Sequence, residues 1–158
     1  ATLAAMLFDS KCKIDKVRSF DIDDSCVEIA DCINRLQVKD GWKFKAITQD
    51  IHAINYETHV WQTWSKANDR MSYPIEDSPT TVINTSCEHI ENFDEWYDKI
   101  PSGKLIVLQS NNYFEVDDHV NCVNNPVEFA KQTPMAEVLY QGALDLPKYT
   151  RFMRIGYK

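Results

Sequence analysis

Glycine is scarce in this chain. The 158 residues hold four, Gly41, Gly103, Gly142 and Gly156, and no two lie close together. A G-x-G-x-x-G turn or a P-loop needs closely spaced glycines, so neither phosphate cradle is present. The five cysteines (Cys12, Cys26, Cys32, Cys87 and Cys122) are odd in number and form no C-x-x-C pair. That count argues against a disulfide framework or a closed zinc site, and points to the reducing cytoplasm. Basic residues are outnumbered, 17 Lys and Arg against 24 Asp and Glu, for a net charge of −7. Clustered cations are what bind phosphates, so no nucleic acid is expected as a partner. No apolar run reaches the ~18 residues of a membrane span. The N-terminus also lacks a signal-peptide pattern, so no membrane association is expected.

What is present is ordinary globular composition, 44% hydrophobic and 26% charged. The length fits one domain, residues 1–158, by the usual scale of ~100–200 residues each. Leu3, Met6 and Leu7 share a face, which predicts a helix over Thr2 to Phe8. Val17 to Ile22 reads as a buried strand ending in an acidic turn. Ser25 and Glu28 have capping-box spacing, and Cys26, Ile29, Ala30, Ile33 and Leu36 follow a helical period. Trp42, Phe44 and Ala46 alternate with Lys43 and Lys45, predicting a strand that ends near Asp50. Residues 51–80 show no clear period and read as a long irregular insertion. Beyond it lie a strand over Thr80 to Asn84, a helix over Phe93 to Ile100 and a strand over Leu105 to Leu108. Asn125-Pro126 opens a helix with Asn as cap and Pro in the first turn. Val138 to Leu144 and Tyr149 to Tyr157 read as a closing antiparallel pair.

Strands alternating with helices predict an α/β fold: a doubly wound, mostly parallel sheet with helices on both faces and an antiparallel final strand. Ligands of such sheets bind at the carboxyl ends of strands. Here those ends carry Asp21, Asp50, the run Asn84-Thr85-Ser86-Cys87-Glu88-His89, and Gln109 to Asn112. Such a rim suits a ligand with hydroxyls, an adenine-like base or a cation. His52, His59, Cys87 and His89 fit no zinc spacing, so no metal is expected. Trp61 and Trp64 lie in the insertion over that rim and are candidates for shaping a substrate pocket.

Ser19-Phe20-Asp21-Ile22-Asp23 with Cys26 to Ala30 resembles the second strand and helix of class I S-adenosyl-L-methionine-dependent methyltransferases. Ile83 to Ile90 resembles the family's fourth-strand motif with its "EH" continuation, and Lys104 to Asn111 its fifth strand. The closing pair resembles the sixth and seventh strands, the last reversed. The resemblance implies a Rossmann-like fold and methyl transfer to a small-molecule acceptor. It implies S-adenosyl-L-methionine as cofactor, with Asp21 on the ribose hydroxyls and Asp50 near the adenine amino group. Asn84 and Thr85 fall beside the cofactor, and Glu88 or His89 would take the acceptor's proton. The family's first strand and glycine-rich turn have no counterpart, and Ala1 to Ala5 looks like the helix that follows that turn. The fold is then expected to be incomplete at its N-terminus: a short form, a trimmed chain or a remnant. A second copy covering the missing strand is an expected partner. The alternative function is a non-catalytic binding module that has lost the cofactor site.

Overall fold

In the computed structural model residues 1–65 and 68–158 are described; Lys66 and Ala67, within the segment read as irregular, lie outside the described residues. The chain forms two compact units, Ala1–Ile54 and Asn55–Lys158.

The first unit runs α1 (Thr2–Asp9), β1 (Val17–Asp21), α2 (Asp24–Ile33), α3 (Arg35–Lys39) and β2 (Phe44–Thr48). β1 and β2 pair in parallel, Val17 opposite Phe44 and Asp21 opposite Thr48. α2 begins where it does because Asp23, not Ser25, is its cap. The Asp23 carboxylate accepts from the Ser25 N–H at 2.9 Å and from its hydroxyl at 2.7 Å. Asn34 ends α2 with its side chain turned inward, donating to the Ala30 carbonyl at 3.0 Å and the Ala1 carbonyl at 3.2 Å. Ala30, Ala4, Phe44 and Ala46 make this unit's small core. Of the apolar set expected on the inner face of α2, Ala30 is buried, whereas Ile29, Ile33 and Leu36 are exposed.

The second unit opens with β3 (His59–Trp61), β4 (Trp64–Ser65), β5 (Arg70–Met71) and β6 (Ile75–Asp77), short strands within the segment expected to be irregular. β3 pairs antiparallel with β6 and β4 with β5. There follow β7 (Thr81–Asn84), α4 (Phe93–Asp98), β8 (Leu105–Asn111), α5 (Pro126–Gln132), β9 (Glu137–Asp145) and β10 (Thr150–Tyr157). They form a four-stranded sheet in the order β7-β8-β10-β9, with β7 parallel to β8 and β10 antiparallel to both neighbours.

The doubly wound, mostly parallel Rossmann-like sheet expected from the sequence is therefore not formed. Parallel pairing is confined to β1–β2 and β7–β8, in separate sheets, and every other described pair is antiparallel. The physical reason lies between β2 and β7. A parallel sheet is extended by crossovers of a dozen or more residues, usually helical. That stretch holds a 3-10 turn over Ile51–Ala53 and two small hairpins, and no α-helix among its described residues.

The core of the second unit is aromatic. Phe93, Trp96 and Tyr97 of α4 are buried, with Ile100 just beyond it. Ile106 and Leu108 alternate inward along β8, and Phe129 fills the inner face of α5. Asn125 caps α5 as expected, accepting from the N–H groups of Val127 and Glu128 at 3.0 Å each.

Tyr97 makes this packing sensitive to alkali. Its hydroxyl donates to the Pro134 carbonyl at 2.7 Å, and burial pushes its pKa from 10 up to about 12. The unfolded chain sheds this proton near pH 10, while the folded one holds it to about pH 12. The folded state thus binds more protons in that window, and stability falls as pH rises through it. Thermal midpoints of the wild type should fall more steeply from pH 10 to 12 than those of Tyr97→Phe. Equal slopes would contradict the assignment.

Candidate functional site

The parallel register of β1 and β2 sets their carboxyl ends side by side, with the Gln49 N–H donating to the Asp21 carbonyl at 2.9 Å. Asp21 is exposed, and its Oδ1 accepts from the Asp23 N–H at 3.0 Å, which orients the carboxylate. Burial, and then the Asp21 and Asp23 charges, push the neighbouring Cys26 thiol's pKa up. Asp21 also lines a shallow cavity of about 290 Å³, together with Thr2, Ser19, Cys26, Ile33 and Ala46. Asp50 caps the 3-10 turn, accepting from the His52 N–H at 2.8 Å, and is not among the cavity's lining residues.

The remaining candidates lie in the second unit. Asn84 ends β7 and turns the chain, its Oδ1 accepting from the Ser86 N–H at 2.9 Å. The Thr85 carbonyl accepts from Arg151 at 3.3 Å. The following 3-10 turn, Cys87–His89, buries Glu88 at 2% exposure and leaves His89 exposed. Oε1 of Glu88 accepts from the Asn111 amide at 2.7 Å and lies 3.6 Å from the Arg151 guanidinium. Its Oε2 is buried and has no hydrogen-bond partner among the described residues. Nδ1 of His89 lies 3.1 Å from the Asp118 carbonyl and 3.3 Å from the Asp118 carboxylate.

His119 completes this cluster. Its Nδ1 lies 2.7 Å from the Tyr113 carbonyl, and its ring meets that of His89 edge-on, centroids 4.6 Å apart. Cys122 follows, with Sγ 3.7 Å from His119 Nδ1. Neither residue was expected at the site. They come from residues 112–124, which form no regular element, and fold back over the Cys87–His89 turn. The Asn121 N–H donates to the Glu88 carbonyl at 2.8 Å, and the Asn121 amide to the Cys87 carbonyl at 3.1 Å. The only local signal is the His119-x-x-Cys122 spacing.

Cys87 itself is fully buried, and burial followed by the Glu88 charge pushes its pKa well up. A thiol held protonated is no nucleophile at neutral pH. Trp61 is buried, its indole N–H donating to the Asp77 carboxylate at 2.6 Å, so it packs β3 against β6. Trp64, on β4, is half-exposed.

No helix among the described residues is long and apolar enough to cross a membrane. No family model, curated protein or solved structure matches this chain.

Proposed function

We propose that the chain binds S-adenosyl-L-methionine through its first unit and serves methyl transfer to a small-molecule acceptor. One observation carries this: Asp21 stands exposed at the carboxyl end of a parallel strand and lines a cavity of about 290 Å³. Ligand pockets begin near ~300 Å³, so the cavity suits part of a nucleoside rather than a large substrate. A carboxylate offers two acceptor oxygens for a vicinal diol, and the Asp23 N–H already fixes its direction. The residues present therefore fit the ribose end of the cofactor. Asp50, beyond the neighbouring strand of the same unit, is assigned to the adenine amino group.

When bound, the cofactor supplies an electrophilic methyl group on a sulfonium. The first unit's own part is orientation, through Asp21 and Asp50. Five free thiols support a cytoplasmic setting, and the net charge of −7 argues against a nucleic-acid partner. A second reading, a binding module without catalysis, is favoured by the absence of any closely spaced glycines.

Calorimetry with S-adenosylhomocysteine on paired variants tests the assignment. Asp21→Ala should weaken binding by about 1.5–3 kcal/mol, roughly ten- to a hundredfold. Asp23→Ala removes a helix cap and should lower the thermal midpoint while leaving affinity nearly unchanged. Equal losses of affinity at both positions would show that Asp21 is not the ribose ligand.

A further inference from the structure

We propose that Glu88, His89 and His119 form a binding site for one divalent transition-metal ion, of which Zn²⁺ fits best. Each of the three offers a ligand atom, and these atoms all lie within 4.8 Å of one another. Two imidazoles and one carboxylate make the donor set of open zinc sites, which keep a fourth position for water or substrate. The cluster is not an acidic patch, for it holds one carboxylate and two imidazoles. With two nitrogen donors it selects Zn²⁺ over Mg²⁺ or Ca²⁺, which prefer all-oxygen surroundings.

A second observation points to a ligand independently of that proximity. Glu88 is 2% exposed, yet its Oε2 has no hydrogen-bond partner among the described residues. Leaving a buried acceptor unmade costs free energy, and a charged one costs more. The other oxygen, Oε1, is already held by Asn111 and faces Arg151. The carboxylate is thus fixed by one oxygen and presents the other without a donor, as a monodentate metal ligand does.

The surroundings of the two rings match as well. Ligating histidines usually give their second ring N–H to a carbonyl or carboxylate, which fixes tautomer and orientation. Nδ1 of His119 faces the Tyr113 carbonyl at 2.7 Å, and Nδ1 of His89 faces the Asp118 carbonyl at 3.1 Å. A ring that donates from Nδ1 keeps its lone pair on Nε2, free for a metal. The Asp118 carboxylate, 3.3 Å from His89, adds a negative charge beside that ring. Ligand atoms around a tetrahedral zinc with bonds of ~2.0–2.1 Å stand roughly 3.4 Å apart. The ligand atoms, within 4.8 Å of one another, can settle to that spacing by rotation of the exposed His89 ring. Cys122 lies outside the set: its Sγ is directed to the Asn111 side-chain oxygen and the Tyr113 carbonyl, each at 3.4 Å.

The site lies in the second unit, and its existence does not depend on methyl transfer. A zinc ion there would occupy His89, so the histidine could not accept a proton while the metal is bound.

The test uses the full chain, stripped with a chelator and titrated with Zn²⁺ against a chromophoric competitor. One equivalent should bind. His89→Ala and His119→Ala should each weaken binding at least ~10- to 100-fold, the range seen even for outer-shell changes. Both side chains are at least partly exposed, so the variants should fold, and circular dichroism checks this. Glu88→Gln, which keeps the shape of the side chain, should weaken binding in the same way. His52→Ala, in the first unit, should leave affinity unchanged. With Co²⁺ as probe, a d–d spectrum without a thiolate charge-transfer band is expected. Unchanged affinity in the His89 or His119 variant, or a strong thiolate band lost in Cys122→Ser, would overturn the proposal.

Discussion

Trp96→Ala should destabilise the Asn55–Lys158 unit by about 3–5 kcal/mol, the range for truncating a buried aromatic to alanine. Trp96 is 1% exposed and its ring lies 5.3 Å from Phe93 and 6.4 Å from Tyr56, centroid to centroid. Its indole N–H donates to the Tyr56 hydroxyl at 2.7 Å. The substitution thus leaves a cavity and strips a buried hydroxyl of its donor. Both effects have the same sign, which places the loss in the upper half of that range. Stabilities of folded domains are themselves only ~5–15 kcal/mol, so the variant should sit close to its unfolding threshold at 25 °C. Urea unfolding followed by far-UV circular dichroism measures the change. A loss below ~1 kcal/mol would show that α4 does not anchor this unit.

Asn111→Leu is expected to cost about 1.5–3 kcal/mol, the scale of a hydrogen bond to a buried charged group. Asn111 is 1% exposed and uses both ends of its amide. The nitrogen donates to Oε1 of Glu88 at 2.7 Å, and the oxygen accepts from the Tyr113 N–H at 2.8 Å and from the Cys122 thiol at 3.4 Å. Leucine is of similar size but satisfies none of them. The dominant loss is at Glu88, whose carboxylate then keeps, among the described residues, the Arg151 guanidinium 3.6 Å away. That dominance is checkable by a double-mutant cycle. Once Glu88→Leu has removed the charge, Asn111→Leu should cost less, with a coupling of about 0.5–3 kcal/mol between the two sites. Strict additivity would mean that Glu88 draws no stability from Asn111.

Local chemistry made most elements legible. Asn125-Pro126 announces α5, because an Asn cap and a proline in the first turn leave few other conformations. Leu105 to Leu108 reads as a buried strand, and β8 does sit inside its sheet, between β7 and β10. Smaller errors have local causes. Ser25 has the spacing of a cap, but Asp23 takes that role and accepts from the Ser25 N–H and hydroxyl. The second strand begins at Phe44, not Trp42, because Gly41 and Trp42 both take positive φ, 60° and 53°. Beyond the closing antiparallel pair of β9 and β10, sheet membership was not legible. Hairpins of two or three residues between His59 and Asp77 carry no periodicity to read, and they replace the crossover that a single parallel sheet requires. The site was half legible for a related reason. Glu88 and His89 follow a strand directly, whereas His119 reaches them through a tertiary fold-back some 30 residues later that no local pattern encodes.

The most direct test of the functional account is calorimetric titration of the unmodified chain with S-adenosylhomocysteine, with adenosine and methionine as separate ligands. Saturable binding of one S-adenosylhomocysteine per chain, with adenosine competing for the same site, is the predicted result. Adenosine should compete because the proposed contacts, Asp21 and Asp50, are to ribose and base. No heat of binding with S-adenosylhomocysteine, from a chain shown by circular dichroism to be folded, would contradict the account.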